Sequence, residues 1–526
     1  MKKTPPGILP VIAIDRECGK PLNRQIYEGY RDAIVERRLR SGQRIPPTRG
    51  LAAELRVSRL PVLNAFEQLL AEGYFESRPG AGTFVASSVP DDLAAPKPGT
   101  PARPRPPRCG PRLIGRHAAT LRQDIGPWFK GVGAFSVGQP PVDQFPWDLW
   151  SRLVARRSRS RDPELVHYSP VMGFGPLREA VAEYLRTARG VRCEASQVMI
   201  VGGAQQALEL SARVLLDAGS SVWVEDPGCY GVQNLLRLAG ARTVPVPVDA
   251  EGLVVAEGIA RSPKARAVFV TPSHQFPLGV TMSASRRLQL LDWAQSSGAW
   301  IIEDDYDSEY RYGQLPITSL QGLDRDARVI YVGTFSKIMF PALRVGYVVL
   351  PTDLVRTFVA VRRATDKFSP TLTQAALTDF IEEGHFARHV RRTRVLCGER
   401  RAAMVDALRA ELGADVAILG DPAGMYLTVA LSGRARDREI ALRAARERLW
   451  VAPLSERYLS RAPRQGLLLG YGGTDAAEMA EGVRRLREVL DPARQTSAAT
   501  PPRAAAPRLQ RSRTRASTSG ASSSVH

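Results

Sequence analysis

Cysteine is scarce in this sequence and scattered. The chain has five, Cys18, Cys109, Cys193, Cys229 and Cys397, with no CxxC spacing, which argues against a disulfide framework or a structural zinc site. No stretch of about 18 consecutive apolar residues occurs, so no membrane span or membrane partner is expected. The N-terminal apolar run is short and broken by Pro10, which does not suit a signal peptide. A soluble, cytoplasmic protein is the expectation. Internal repeats are absent, and with 44% hydrophobic and 24% charged residues wholesale disorder is excluded. Acid is missing from position 492 onward, where six arginines stand alone among Ala, Pro, Ser and Thr. That tail cannot bury enough apolar surface to offset its chain entropy and is expected to be disordered over 492–526.

What is present is length and an uneven charge. At 526 residues the chain forecasts more than one domain. Of the net +20, residues 1–88 hold 14 Lys/Arg against 9 Asp/Glu, and residues 89–130 hold 8 against 3. With the tail removed as well, only about +4 remains on 131–491, so the basicity sits where a polyanion would be held at one end of the molecule. Nucleic acid is the first partner this suggests. Residues 89–130 contain nine prolines and few large apolar residues, the composition of a semi-rigid linker between two domains.

Before that linker the spacing predicts a helix over Arg24–Arg38, a short helix at Thr48–Leu55, a tight turn, and a longer helix that Gly73 stops. Ser58 is the expected N-cap of the longer helix, and Pro61 sits in its first turn. Tyr74–Phe75 and Thr83–Val85 read as short strands around a Gly80–Gly82 turn. A helix pair followed by a wing presents Ser58 and Arg59 at the start of its second helix, where arginine and free amides meet phosphates and base edges. The segment closely resembles the GntR-type winged helix-turn-helix in Ile45-Pro46-x-x-Arg49, Val57-Ser58-Arg59, Leu69-x-x-Glu72-Gly73-Tyr74 and Gly80-x-Gly82-Thr83-Phe84-Val85. That resemblance implies a double-stranded DNA operator as partner, with Arg49, Ser58 and Arg59 as contacts and Gly80 and Gly82 letting the wing approach the backbone. Pro61 stands where that family more often has threonine.

From about Phe135 short Val/Ile-rich runs alternate with amphipathic segments, the pattern of an α/β domain with a mainly parallel sheet. Ligands in such sheets sit beyond the carboxyl ends of strands. After Val198–Val201 come Gly202 and Gly203, then Ala204 and Gln205, a helix start approached through glycines and suited to a phosphate. After Trp300–Glu303 come Asp304 and, two residues on, Tyr306. After Val329–Gly333 come Thr334, Ser336 and Lys337, then Arg344, a candidate amine nucleophile beside a phosphate clamp. Phosphate donors, a carboxylate, a phenol and a lysine at three strand ends fit one cofactor, pyridoxal 5′-phosphate (PLP).

The same region resembles fold-type I, aspartate-aminotransferase-like PLP proteins in Tyr168-x4-Gly173, Gly203-x-Gln205-Gln206, Asp304-Asp305-Tyr306 and Ser336-Lys337-x3-Pro341-x2-Arg344. The resemblance implies that Lys337 forms the Schiff base with PLP, Asp304 pairs with the pyridine nitrogen and Tyr306 with the ring oxygen. Thr334 and Arg344, with Gly203, Ala204 and Gln205, would hold the phosphate. Tyr168 would reach the phosphate of a neighbouring subunit, which implies a homodimer. Winged helix-turn-helix at 1–88, linker at 89–130 and aminotransferase-like domain at 131–491 together resemble the MocR subfamily of transcription regulators.

Three departures bear on chemistry. Phe276 replaces the asparagine that commonly bonds the ring oxygen. After Asp226-Pro227-Gly228, either Cys229 or Tyr230 covers the ring. Leu468 stands where carboxylate-binding members have an arginine, so such a contact falls to Arg464 or Arg344. His385 and His389 are spaced i,i+4, but the arginines at 388, 391, 392 and 394 oppose a cation, and a solvated basic face with no metal is expected. The leading reading is a PLP-dependent regulator that senses an amine, an amino acid or PLP itself. The alternatives are an active aminotransferase with an accessory DNA-binding domain, and a DNA-binding protein whose large domain is a dimerisation scaffold.

Overall fold

The computed structural model describes residues 12–87, 114–121, 126–129, 131–160, 162–313, 317–433 and 435–490. The tail expected from 492 and most of the expected linker lie outside them. Contacts divide the chain into two units, Met1–Arg112 and Leu113–His526.

In the first unit, α1 (Leu22–Val35), α2 (Thr48–Glu54) and α3 (Arg59–Ala71) precede an antiparallel hairpin, β1 (Phe75–Arg78) and β2 (Gly82–Val85). α1 buries Ile26, Tyr30, Ala33 and Ile34, a helical stripe that packs with Val62, Phe66 and Leu69 of α3. The Tyr30 ring meets Phe66 and Phe75 edge-on at 5.8 and 5.4 Å, which seats the hairpin on the helices. Ser58 does hold the N-cap position of α3, but its hydroxyl makes no capping bond.

The second unit contains an eight-stranded sheet built from β3 (Val198–Val201), β4 (Ser221–Asp226), β5 (Arg242–Asp249), β6 (Gly252–Leu253), β7 (Ala267–Val270), β8 (Trp300–Asp305), β9 (Val329–Thr334) and β10 (Gly346–Val349). Their spatial order is β3-β10-β9-β8-β7-β4-β5-β6. The run from β9 to β5 is parallel, whereas β10 is antiparallel to both neighbours because the short turn 335–345 returns the chain without a crossover helix. Along β3, Val198 and Ile200 enter one core while Met199 and Val201 enter another, so the sheet is covered on both faces. The carboxyl ends of β3, β4, β7, β8 and β9 share one edge. Two helices, α4 (Ala204–Leu215) and α5 (Tyr230–Leu238), start at that edge.

A second sheet, not anticipated from the sequence, has the antiparallel order β11 (Val416–Leu419), β12 (Tyr426–Leu431), β14 (Gly466–Gly470), β13 (Ala452–Pro453). Helices α6 (His385–Leu412) and α7 (Ala476–Leu490) cover it. Leu468 lies in its fully buried core, paired with Thr428 and Ala452. His389 corrects an expectation. It is 2% exposed rather than solvated, with Nε2 2.9 Å from the Ile338 carbonyl and its ring against Phe145 and Phe380. His389 falls on the buried stripe of α6 with Phe386, Val390, Thr393 and Cys397, whereas the arginines at 388, 391, 392 and 394 fall off that stripe and are exposed. Trp128, inside the expected linker, is likewise buried, within the core of the second sheet.

Candidate functional site

In the first unit, Arg49 on α2 and Ser58 and Arg59 at the start of α3 are all exposed. The Arg59 Nε donates to Thr48 Oγ1 at 3.4 Å, which brings the N-terminal ends of α2 and α3 side by side. Gly80 and Gly82 flank the exposed wing turn, with φ of +73° and +109°. Those angles favour glycine over any residue with a Cβ.

In the second unit the strand ends converge as the sequence implied. Lys337 follows β9, and its ammonium donates to the Gly138 carbonyl at 2.8 Å. A Cβ at Gly138 would lie 2.6 Å from Lys337 Nζ, so glycine at this left-handed position, φ +77°, lets the loop close without displacing the ammonium. Burial lowers the Lys337 pKa and Arg344 adds to that, while Asp307, Cys229 and Asp304 oppose it. Asp304 ends β8. Burial, with Asp305, Asp307 and Glu225 nearby, pushes its carboxyl up to about 7 against the pull of Lys337. Among the described residues its buried Oδ1 has no hydrogen-bond partner, and neither has the buried Ser336 hydroxyl beside Lys337.

The Tyr306 hydroxyl donates to the His274 carbonyl at 2.8 Å. Thr334 Oγ1 accepts from the Ser336 amide at 3.1 Å, shaping the turn into Lys337. Gly203 has φ +105°, and a Cβ on it would stand 3.1 Å from an Arg344 guanidinium nitrogen. Arg344 is itself left-handed at φ +51°, a conformation that costs a non-glycine residue about 1–3 kcal/mol and recurs at functional sites. Ala204 opens α4, and Gln205 Nε2 donates to the Gly231 carbonyl at 3.4 Å, joining the starts of α4 and α5. A small cavity beside Asp304 is lined by Glu225, Cys229 and Thr271, with Tyr230 set back as the first residue of α5. Phe276 lies near Tyr306, ring to ring at 6.5 Å. Tyr168 is apart from these groups, 85% exposed, with its ring against Phe368 and beneath Lys367.

The family model for class I and II aminotransferases matches residues 132–486, and that for bacterial regulatory proteins of the gntR family matches 22–85. The probable rhizopine catabolism regulatory protein MocR of Rhizobium meliloti is 42% identical over 91% of this chain and 96% of its own length. The chain belongs to the MocR-type regulators. A second relative of that type, the pyridoxine biosynthesis transcriptional regulator PdxR of Corynebacterium glutamicum, is 30% identical over 88% of this chain and 95% of that protein. Among solved structures, the α-aminoadipate aminotransferase LysN of Thermus thermophilus, complexed with N-(5′-phosphopyridoxyl)-L-leucine, matches with TM-score 0.67 and 30% identity. It covers 74% of the MocR-type chain and 98% of its own.

Several groups at the MocR-type site were not among the residues anticipated. Glu225 accepts from the Thr271 amide, the Thr271 hydroxyl and Gln275 Nε2, clamping the turns after β4 and β7 together. Asp307 pairs with His274, and Tyr426 arrives from β12. Glu225 and Asp307 carry the only available signal, an acid placed at or just past a strand end. Tyr426 has none, because its strand belongs to the sheet that sequence periodicity does not reveal.

Proposed function

We propose that the protein is a PLP-binding, DNA-binding transcription regulator, with residues 1–88 holding operator DNA and residues 131–491 holding PLP and answering to a small amine or amino acid. The observation that carries this reading is a pair of buried polar atoms near one lysine that have no partner among the described residues. Asp304 Oδ1 and Ser336 Oγ are buried without partners, a state that costs about 1–3 kcal/mol each unless a ligand completes it. A cationic ring N–H answers the first and a phosphate oxygen the second. The glycine cradle at Gly203, with Arg344 packed against it, supplies further amides and a guanidinium for the phosphate. The residues present fit PLP.

In this reading Lys337 carries the cofactor, Asp304 holds the ring nitrogen protonated and Tyr306 bonds the ring oxygen. Thr334, Ser336, Gly203, Ala204, Gln205 and Arg344 hold the phosphate, and Cys229 or Tyr230 covers the ring. When bound, PLP supplies an aldehyde carbon that captures primary amines and a ring that withdraws electrons from them. The chain's own contribution is preorganisation. Burial makes Lys337 easier to deprotonate and hence more nucleophilic, and the Gly138 carbonyl orients it. The exposed Tyr168 suits a reach into a second copy, so the proposed assembly is a homodimer. Leu468 offers no charge for an amino-acid carboxylate, which favours sensing over efficient turnover as the task of the large domain.

The test uses the full chain. Titration of apoprotein with PLP, borohydride reduction and peptide mapping should find the cofactor on Lys337. Operator DNA, selected from a random pool by the full chain, should then change affinity when an amine alters the cofactor's visible spectrum. Absence of PLP binding, or cofactor attached at another lysine, overturns the proposal.

A further inference from the structure

The phenol of Tyr306 sits in a hydrogen-bond network that the reading above does not use. Its hydroxyl lies 2.8 Å from the His274 carbonyl, 3.1 Å from the Tyr426 hydroxyl and 3.4 Å from His274 Nδ1. His274 Nδ1 is 3.1 Å from each oxygen of Asp307, a buried carboxylate, so its N–H is directed there and offers Tyr306 no lone pair. The Tyr306 proton therefore has the His274 carbonyl as its acceptor within the protein. Tyr426 also has one proton, and its choices are the Tyr306 oxygen at 3.1 Å and the Gln275 carbonyl at 3.3 Å. If it took the carbonyl, two phenol oxygens would face each other at contact distance with no proton between them. Donation to Tyr306 avoids that, and a chain of hydroxyls polarised in one direction strengthens each bond in it.

We infer that Tyr426 is a positioning residue for the cofactor: by donating to the Tyr306 oxygen it makes Tyr306 a stronger donor to the cofactor's ring oxygen, which competes with the His274 carbonyl for the single Tyr306 proton once the cofactor is bound. The inference rests on the proposed reading of Tyr306 as partner of that oxygen. Tyr426 stands on β12, and two residues on Thr428 donates to the Pro277 carbonyl at 2.6 Å, so β12 is fastened to the same loop that carries His274 and Gln275. Around the phenol pair stand Asp304 and Asp307 at the end of β8, Glu225 at the end of β4 and Tyr471 just after β14, with Lys337 near both aspartates. Burial first, and these acids next, hold both phenols far above their ordinary pKa, so they stay protonated through the working range. A change in visible absorbance with pH then reports the cofactor and not the tyrosines.

The experiment follows the cofactor's absorbance against pH in the full chain loaded with PLP. Loss of a hydrogen bond to an anionic oxygen corresponds to roughly 1–2 pH units, and a cooperative contribution of about 10–30% of that to roughly 0.1–0.6 unit. Tyr306→Phe should raise the midpoint by the larger amount, because the anionic ring oxygen loses its donor. Tyr426→Phe should raise it by the smaller amount, and should add nothing in a Tyr306→Phe background. Thr428→Val, which loosens β12 without touching Tyr306, should leave the midpoint in place. If Tyr426→Phe fails to load PLP, 3-fluorotyrosine at 426 is a stronger donor of the same shape and should lower the midpoint. A midpoint that moves with Tyr306→Phe but not with either change at 426, or a Tyr426→Phe shift that persists without Tyr306, overturns the inference. A midpoint that ignores Tyr306→Phe overturns the reading on which it rests.

Discussion

Asp304→Asn should move stability and cofactor affinity in opposite directions. In the apoprotein the carboxyl is held near pH 7 by burial and by Asp305, Asp307 and Glu225, against an ordinary value of 3.8. A raised carboxyl means that the folded state binds its proton more tightly than the unfolded state does. Its stabilising effect is complete below about pH 4 and is lost as pH rises through about 7. By pH 8 the native state has given up about 4 kcal/mol relative to low pH, but at pH 5 less than about 2. Asparagine cannot ionise and escapes that loss, although its buried amide leaves N–H groups unpaired at about 1–3 kcal/mol. The apo variant should therefore be more stable than the parent by about 1–3 kcal/mol at pH 8 and nearly equal to it at pH 5. PLP affinity should fall by roughly 10- to 150-fold, the equivalent of one lost charge-assisted hydrogen bond. Urea unfolding of apoprotein at both pH values, together with fluorescence titration by PLP, measures both quantities. An apo variant less stable than the parent at pH 8, or one that binds PLP as tightly as the parent, refutes the reasoning.

Gly203→Ala should weaken PLP retention by about 5- to 150-fold, since φ +105° strains alanine by about 1–3 kcal/mol and the new methyl presses on Arg344; unchanged cofactor loss on dialysis would count against the cradle. Arg59→Ala should cost about 1–3 kcal/mol of operator affinity, and Arg49→Ala should flatten the salt dependence, both read by fluorescence anisotropy across salt. If both variants bind selected DNA as the parent does, the groove helix lies elsewhere. An amine that changes the cofactor spectrum should shift operator affinity by about 5- to 150-fold, and operator DNA should shift the amine's affinity by the same factor. Many rapid cycles of keto-acid-dependent transamination would favour an active aminotransferase instead.

The sequence alone determined the two-part organisation, the nature of each part and the residues at the main strand ends. It could do so because turn and strand-end chemistry is local. A glycine-led helix start at Gly203, an acid at Asp304 and a lysine at Lys337 each follow an apolar run, and the run announces where the side chain will emerge. The wing was legible for the same reason, from glycines around a four-residue hairpin strand. Burial of individual polar residues was not legible. His389 shares a helix with four exposed arginines, and packing against Phe145, Phe380 and the Ile338 carbonyl decided that the stripe it lies on faces the core. Leu467, Leu468 and Leu469 read as a plain apolar run, and tertiary structure alone made them the centre of a second sheet. Tyr426 reached Tyr306 across 120 residues of chain through that sheet. Contacts of that range leave no period in the sequence, because what selects them is the closing of one packed layer on another and not the conformation of either segment.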